Sequence, residues 1–497
     1  MKILSLVAQR YKSFLNIPTQ LTMFYIIFLI IPFYDLFLWI TLPLHYKFHN
    51  NMNPEEHTKT MLLLEEAHKA WSEMQEIRSK RDRNKDFTYG NQWRDKMKND
   101  DGIVVTEREW MKSQGREPYT NNLIRQLVKS VVGRFRSKIA DESDSNTDLN
   151  ELDSRSLEEF LISGCCFQRI TSPQKVDIVS PERMFLRIGT DPLGRDCTMI
   201  GMLHDMPLAE VVKRFNGGNR DKALDICHIY NDNDAHGSGS FFIPSLPARV
   251  RVIEMWKQVH IEGYDCHDRS TGDWYFQEGG NSKPLSDSVE RRWTMLSHWQ
   301  CYWLTPDGSL LSTYSSPYAH AAHPFVFKLY PYTDGEVHSL VEDIIDQQKH
   351  INRLITLVDN IMSISAKGVL LYPDNILPHG YTWKDLRNAW ARPNAIIPYH
   401  PHYASGGGDL PQQISTNATG IGAYEMVNLQ MNLFEKISGV NSALQGQAEK
   451  NAGAQLYESQ IANATISLAD IFETFNNFRL NRNNKIAQSS ITQDFIH

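Results

Sequence analysis

GEVHSLVEDIIDQQKHINRLITLVDNIMSIS, residues 335–365, reads as one helix. Ile344, Ile351 and Val358 are seven apart, and Gln347, Leu354 and Ile361 repeat that spacing three residues on. A heptad-like stripe is the pattern by which one helix packs along another. The stretch is too short for a free coiled coil. It predicts a helix buried against neighbouring helices, with Ile344, Ile351, Leu354 and Val358 as packing residues and polar Gln347 in one row. Glu342, Asp343 and Asp346 read as a solvated or subunit-facing acidic face of the same helix.

Helices flank this element on both sides. Downstream, 366–420 reads as irregular, with Pro373, Pro378, Pro393, Pro398, Pro401, the run Gly406-Gly407-Gly408 and Pro411. Helix resumes over 421–437, breaks at SGVNSALQGQAEKNAG (438–453), and resumes over 454–485. There Tyr457, Ile461, Ala464, Leu468, Phe472, Phe475 and Phe478 form one stripe. Upstream, 54–84 shows Leu63, Ala67, Ala70, Trp71, Met74 and Ile77 at three- and four-residue intervals. FTYGNQW (87–93) then breaks the period with a Gly90-Asn91 turn flanked by aromatics. In REPYTNNLIRQLVKSVVGRFRSK (116–138), Thr120, Asn121 or Asn122 can cap a helix. Its apolar face is Leu123, Leu127, Val131 and Phe135, and Arg125, Lys129, Arg134, Arg136 and Lys138 make the other side basic. ADESDSNTDLNELDS (140–154) reads as an acidic linker, and 156–170 as a helix passing into a strand. Residues 176–330 then turn to strand patterning, with a short helix at 207–215 and a hairpin turn at Thr305-Pro306-Asp307-Gly308. GNRDKALDICHIYNDNDAHGSGS (218–240) reads as a loop.

The bulk properties are those of a folded protein. The 497 residues are 41% hydrophobic and 22% charged, room for two or three domains. The net charge of −7 means that nucleic acid is not gripped by overall positive charge. Six cysteines (165, 166, 197, 227, 266, 301) have no CxxC spacing and read as reduced packing residues. Residues 1–51 differ in character. LTMFYIIFLIIPFYDLFLWITLPL (21–44) is long enough to span a bilayer, which takes about 20 residues. Lys2, Arg10 and Lys12 precede it, which would keep the N-terminus inside. Against a span, Met52-Asn-Pro-Glu-Glu reads as a fresh start with Pro54 opening a helix, and 1–51 as a spurious extension of the reading frame.

Catalytic patterns are missing. The chain has no GxxxxGK[ST] phosphate loop, no GxSxG elbow and no HExxH pair. His260, Cys266 and His267 lack a repeated ligand spacing, so no metal and no cofactor is expected, and nothing supports an enzyme. Long helices, a β-rich excursion and a Gly- and Gln-rich break between helices suit a ring subunit that packs against its neighbours. The expected class is α+β, mainly helical.

The ordered set RDRNKDFTYGNQW, REPYTNNLIRQLVKSVVGRF, SLEEFLISGCCFQRI, SPERMFLRIGTDPLGRD, MIGMLHDMPLAEVVKRF, EVHSLVEDIIDQQKHINRLITLVDNIM and ISGVNSALQG…NAGAQLYESQIANATISLADIFETFNNFRL resembles the portal proteins of tailed bacteriophages, in particular those of short-tailed phages. The resemblance covers roughly 55–485. It implies a wing and first stem region over 52–217, a β-rich clip over 218–325, and a stem helix over 326–365 that packs between subunits. It further implies a wing return and tunnel loop over 366–453, and the start of a crown helix over 454–497 that ends early. The early helix and aromatic turn then belong to the wing and form no site.

The implied function is a homo-oligomeric ring, a dodecamer, at one capsid vertex of the virion, assembled in the host cytoplasm. Double-stranded DNA passes through it non-specifically. Its partners would be the terminase large subunit, head-completion or tail adaptor proteins, and scaffold and capsid proteins. A net-acidic ring repels DNA from its walls, since each phosphate contact by Lys or Arg would add affinity and slow passage. Gln445, Gln447 and Asn451 in the implied tunnel loop are uncharged and suit sliding contact, while Lys450 can touch phosphate transiently. Two alternatives remain: a membrane-anchored interaction protein held by 21–44, and a hydrolase using the His, Asp and Glu residues of 228–267.

Overall fold

The computed structural model describes residues 54–99, 101–141, 147–172, 174–231, 239–279, 288–318, 320–367, 369–372, 377, 379–391, 397, 411–414, 421–440 and 466–493. The apolar stretch 21–44, the loop residues Gln445, Gln447, Lys450 and Asn451, and the first part of the helix expected over 454–485 lie outside them.

Helices α1 (Pro54–Glu73) and α2 (Gln75–Tyr89) meet at Met74. The helix therefore runs one turn past the expected end at 84. It stops where Gly90 takes φ +97° and its N–H reaches back to Phe87 O. Asn91 N–H donates to Asp86 O at 2.8 Å, so the last carbonyls are satisfied by the turn itself. The hairpin β1 (Lys96–Lys98) and β2 (Val104–Thr106) leads into α3 (Glu107–Ser113), which opens on a Thr106–Glu109 capping box. In α4 (Leu123–Asp141) the cap is Asn122, whose Oδ1 accepts from Arg125 N–H at 3.0 Å. Its buried face is Ile124, Leu127, Val128, Val131 and Phe135. Helix α5 (Thr147–Ser163) corrects the expected linker, because 147–154 is helical and 140–141 still belongs to α4. Leu149 and Leu152 lie against the core and Asp153 is fully buried.

Strands β3 (Cys165–Ser172), β4 (Lys175–Val179), β5 (Met184–Arg187) and β6 (Met199–Met206) follow, then α6 (Leu208–Phe215) and α7 (Arg220–Asn231). Helix α7 overturns the loop expected from 218: Ile226 and Tyr230, one turn apart, are buried. Strands β7 (Val250–Asp268), β8 (Trp274–Glu278), β9 (Val289–Leu304) and β10 (Leu310–Ser315) complete a sheet of order β10-β9-β7-β6-β5, with β8 paired to β7. Between β9 and β10 the expected turn forms, with Gly308 at φ +86° donating to Thr305 O at 3.0 Å. Strand β11 (Phe325–Leu329) joins β3 and β4 in a three-stranded antiparallel sheet. The rest is α8 (Leu340–Lys367), β12 (Val369–Leu371), α9 (Trp383–Ala391), β13 (Gln412–Ile414), α10 (Ile421–Ser438) and α11 (Ala469–Gln493). The span 366–420 is thus not wholly irregular: β12 pairs with β13, and α9 opens on Thr382, which caps Asp385 N–H at 3.2 Å.

The chain divides into two compact units, so the span 218–325 is shared between them. The smaller comprises 205–253 and 303–312 with the described residues up to His68. There the buried Arg251 guanidinium pairs with Asp205 at 2.8 Å and donates to Ile243 O at 2.7 Å. Tyr230 OH closes on Arg251 O at 2.8 Å, and Arg214 lies over the Trp303 ring. The larger unit holds the main core, from α2, α4, α5, β3, α8, α10 and α11. Phe135, Phe160, Phe475 and Phe478 interlock there with ring centroids 5.3–5.9 Å apart. Each fully buried Phe stabilises by about 1.5–3 kcal/mol, so the stripe of α11 is a core element.

Candidate assembly surface

Helix α8 faces two ways. Ile344 and Ile351 are fully buried in the larger unit's own core, while Leu354 and Val358 are half-buried. The first two therefore pack against the chain's own helices. There is a second row on α8. Gln348, Asn352 and Thr356 lie at i, i+4 and i+8, on one face of a helix, and all are buried.

This row clamps the PYTNN segment to the helix. Gln348 Oε1 accepts from Leu123 N–H at 3.0 Å and Ile124 N–H at 3.2 Å. Its Nε2 donates to Asn121 O and to Asn352 Oδ1. Asn352 Oδ1 accepts from Asn121 N–H at 3.0 Å, and Thr356 Oγ1 accepts from Tyr119 N–H at 3.0 Å. Asn352 Nδ2 donates to Gln92 Oε1, and Gln92 Nε2 donates to Phe87 O at 2.7 Å. The aromatic turn is thereby tied to the same helix, and Trp93 Nε1 donates to Thr120 Oγ1 at 3.0 Å. Sequence reasoning singled out Gln347, one residue away; the four-residue spacing of Gln348, Asn352 and Thr356 was the available signal.

Ion pairs extend the clamp. Lys349 reaches Asp95 at 2.6 Å, and Arg353 reaches Glu107 at 2.6 Å. Burial pushes the Asp95 pKa up, but hydrogen bonds from Arg83 and Lys349 outweigh it and hold the carboxyl below its ordinary value. Glu342 pairs with Lys80 at 3.3 Å, so the acidic face of α8 is partly neutralised within the chain.

Past this clamp the surface becomes apolar. Leu357 and Met362 of α8 are exposed. Helix α10 packs along α8 through Phe434, and yet Tyr424, Met426, Leu429, Met431 and Ile437 stand exposed. Its 18 residues include only three charges: Glu425, Glu435 and Lys436. A second exposed apolar surface lies on the outer ends of β7, β8 and β9, with Trp274, Tyr275, Trp293, Met295 and Leu296. Single exposed apolar residues are ordinary; large contiguous patches are what mark contact with another molecule.

The candidate ligands of 228–267 do not converge. His260 Nδ1 meets Ser297 Oγ at 2.7 Å, His267 stacks on Trp274 at 4.3 Å, and Cys266 is buried. Among the described residues no three His, Cys, Asp or Glu side chains are grouped to hold a metal ion. Burial pushes the thiols of Cys165 and Cys197 up to about 12, so both stay protonated. No described helix is long and apolar enough to cross a membrane.

Comparison with known families matches residues 174–493 to the phage P22-like portal protein family. The match takes in β4 to β13 and helices α6 to α11. It covers more than half of the chain, which therefore belongs to that family and has a phage portal role. No curated protein matches the chain.

Proposed function

We propose that the chain is the subunit of a closed ring at one capsid vertex, with double-stranded DNA passing through the central channel during packaging and ejection. The observation that carries the ring is α10, an 18-residue helix that exposes five large apolar side chains beside those of α8. A monomer gains nothing from this exposure, and a neighbouring copy would cover it. In this reading α8 and α10 form the stem, the outer ends of β7–β9 the clip, and 438–453 the tunnel loop with Gln445, Gln447, Lys450 and Asn451. The role is structural, which family membership supports. The ring is a dodecamer that docks the terminase large subunit, then head-completion or tail adaptor proteins, within the scaffold and capsid shell of the virion.

Mass photometry of the purified chain tests this reading. The wild type forms one large oligomer. Met426→Glu/Leu429→Glu, which leaves the buried Phe434 face of α10 intact, shifts it to monomers with unchanged circular dichroism. An unchanged oligomer in the double variant would remove α10 from the interface.

A further inference from the structure

The outer ends of β7, β8 and β9 form a three-stranded blade in which two unlike edges flank β7. On one side, β8 pairs with β7 from Gly263↔Glu278 to His267↔Trp274. On the other, β9 runs antiparallel to β7: Arg269 N–H donates to Ser288 O at 3.1 Å, and His260 meets Ser297 at 2.7 Å. Strand β10 covers only the lower part of β9, reaching Trp299, whose carbonyl takes Ser316 N–H at 2.8 Å. Among the described residues no strand pairs with the far side of Arg292–His298, nor with the far side of β8.

An uncovered edge is usually blunted by Pro, Lys, a bulge or inward charge. The stretch Trp293–His298 has none of these protections in its sequence WTMLSH, and Trp293 is 56% and Met295 53% exposed. The opposite edge carries Trp274 at 72%. The edges also differ in charge. DWYFQE (273–278) is net negative, whereas ERRWTML (290–296) is net positive. A ring is closed by a heterologous contact, in which two different surfaces of one subunit meet. Two unlike, oppositely charged, apolar edges on one blade meet that requirement.

We infer that the free edge of β9 over Arg292–His298 pairs with the free edge of β8 in a second copy of this chain, so that the blades join into one continuous sheet. The inference rests on the ring reading above. Its geometry follows from the blade. Strands β8 and β9 both run antiparallel to β7, so they run in the same direction, and a ring axis along the strands makes the pairing between copies parallel. Main-chain hydrogen bonds supply the adhesion, and the Arg291–Arg292 end of the β9 edge lies beside Asp273 at the start of the neighbour's β8.

Disulfide trapping tests it. Glu278→Cys is combined in turn with Leu296→Cys, Ser297→Cys and His298→Cys in the full chain, because parallel pairing of Trp274–Glu278 within Arg292–His298 places Glu278 beside one of these three, and each variant is oxidised. Within one copy the two strands flank β7 and lie two strand spacings apart, about 9.5 Å. A disulfide needs Cα atoms within about 7 Å, so no bridge forms inside a subunit. At least one double variant should give a ladder of dimers, trimers and higher species on a non-reducing gel, and each single variant should not. An oligomer of full size with no ladder from any pair overturns the strand pairing and leaves the ring intact. Dimers from a single variant overturn it in favour of a two-fold contact. A chain that stays monomeric by mass photometry overturns both.

Discussion

Replacing Asp153 with Ala should loosen α11 from the larger unit more than any other single polar change. Asp153 is fully buried and accepts from Arg479 Nε at 2.8 Å, from Arg482 Nη2 at 3.3 Å, and from Arg482 Nη1. Arg482 is itself 1% exposed. Hydrogen bonds to charged groups contribute about 1.5–3 kcal/mol each, but the loss is offset in part. Arg482 keeps Asn483 Oδ1 at 3.1 Å, and Arg479 keeps Asn476 Oδ1 at 3.4 Å. What remains is a buried guanidinium without its counter-charge, which costs about 3–5 kcal/mol. At about 1.4 kcal/mol per tenfold, that is an increase of about two to three and a half decades in opening. Hydrogen exchange of the α11 amides, followed by mass spectrometry, reads it directly, because local opening is resolved without assuming a two-state protein. The apolar triple variant Asp153→Leu/Arg479→Leu/Arg482→Met should recover most of the protection, since no charge is left buried. Exchange in D153A within tenfold of wild type would refute the reasoning.

Three further outcomes follow from the same structure. Gln348→Leu strands the buried N–H of Ile124, while Leu123 N–H and Asn121 O keep each other at 3.0 Å, so it should cost about 1–3 kcal/mol by denaturant unfolding, the range for one unsatisfied buried group. Gln347→Leu, on the half-buried neighbouring position, should change stability by well under half of that. Burial raises the pKa of Glu254, but hydrogen bonds from His204 and Trp256 and the Arg169 charge dominate and bring it to about 2, against a usual 4.5. Its stabilisation is then complete above pH 4.5 and is lost as pH falls towards 2, so the stability gap between wild type and Glu254→Gln should shrink across that window in acid titrations. Lys485 is the opposite case. Burial lowers its pKa from 10.5 to about 8, so the folded state favours the neutral amine. Wild type should gain stability relative to Lys485→Met as pH rises from 8 to 10.5, which parallel thermal melts would show.

Local pattern made most of the elements legible. The three- and four-residue spacing of Leu127, Val131 and Phe135, and of Phe472, Phe475 and Phe478, marks faces that are buried in the structure. Gly90 and Gly308 mark turns that only a residue tolerant of positive φ makes without strain. What local pattern could not carry was the partner. Asp153 looked like part of an acidic linker because its arginines are 326 and 329 residues away. The same distance problem hid the clamp, since Gln348 and Asn352 are ordinary polar helix residues until Asn121 is placed beside them, over 220 residues apart in sequence. Helix α7 was obscured by its own flanks, where NGGN and NDND outweigh the Ile226–Tyr230 spacing. The heptad stripe of α8 is ambiguous for a related reason. Burial against one's own chain and burial against a neighbour leave the same apolar signature, and only the exposure of α10 and of the β8 and β9 edges separates them.

Electron microscopy of the purified full chain tests the central claim most directly. The account predicts closed rings of one size, with an axial hole wide enough for a DNA duplex and a continuous outer collar where the blades meet. Well-folded monomers that persist as concentration is raised would contradict it.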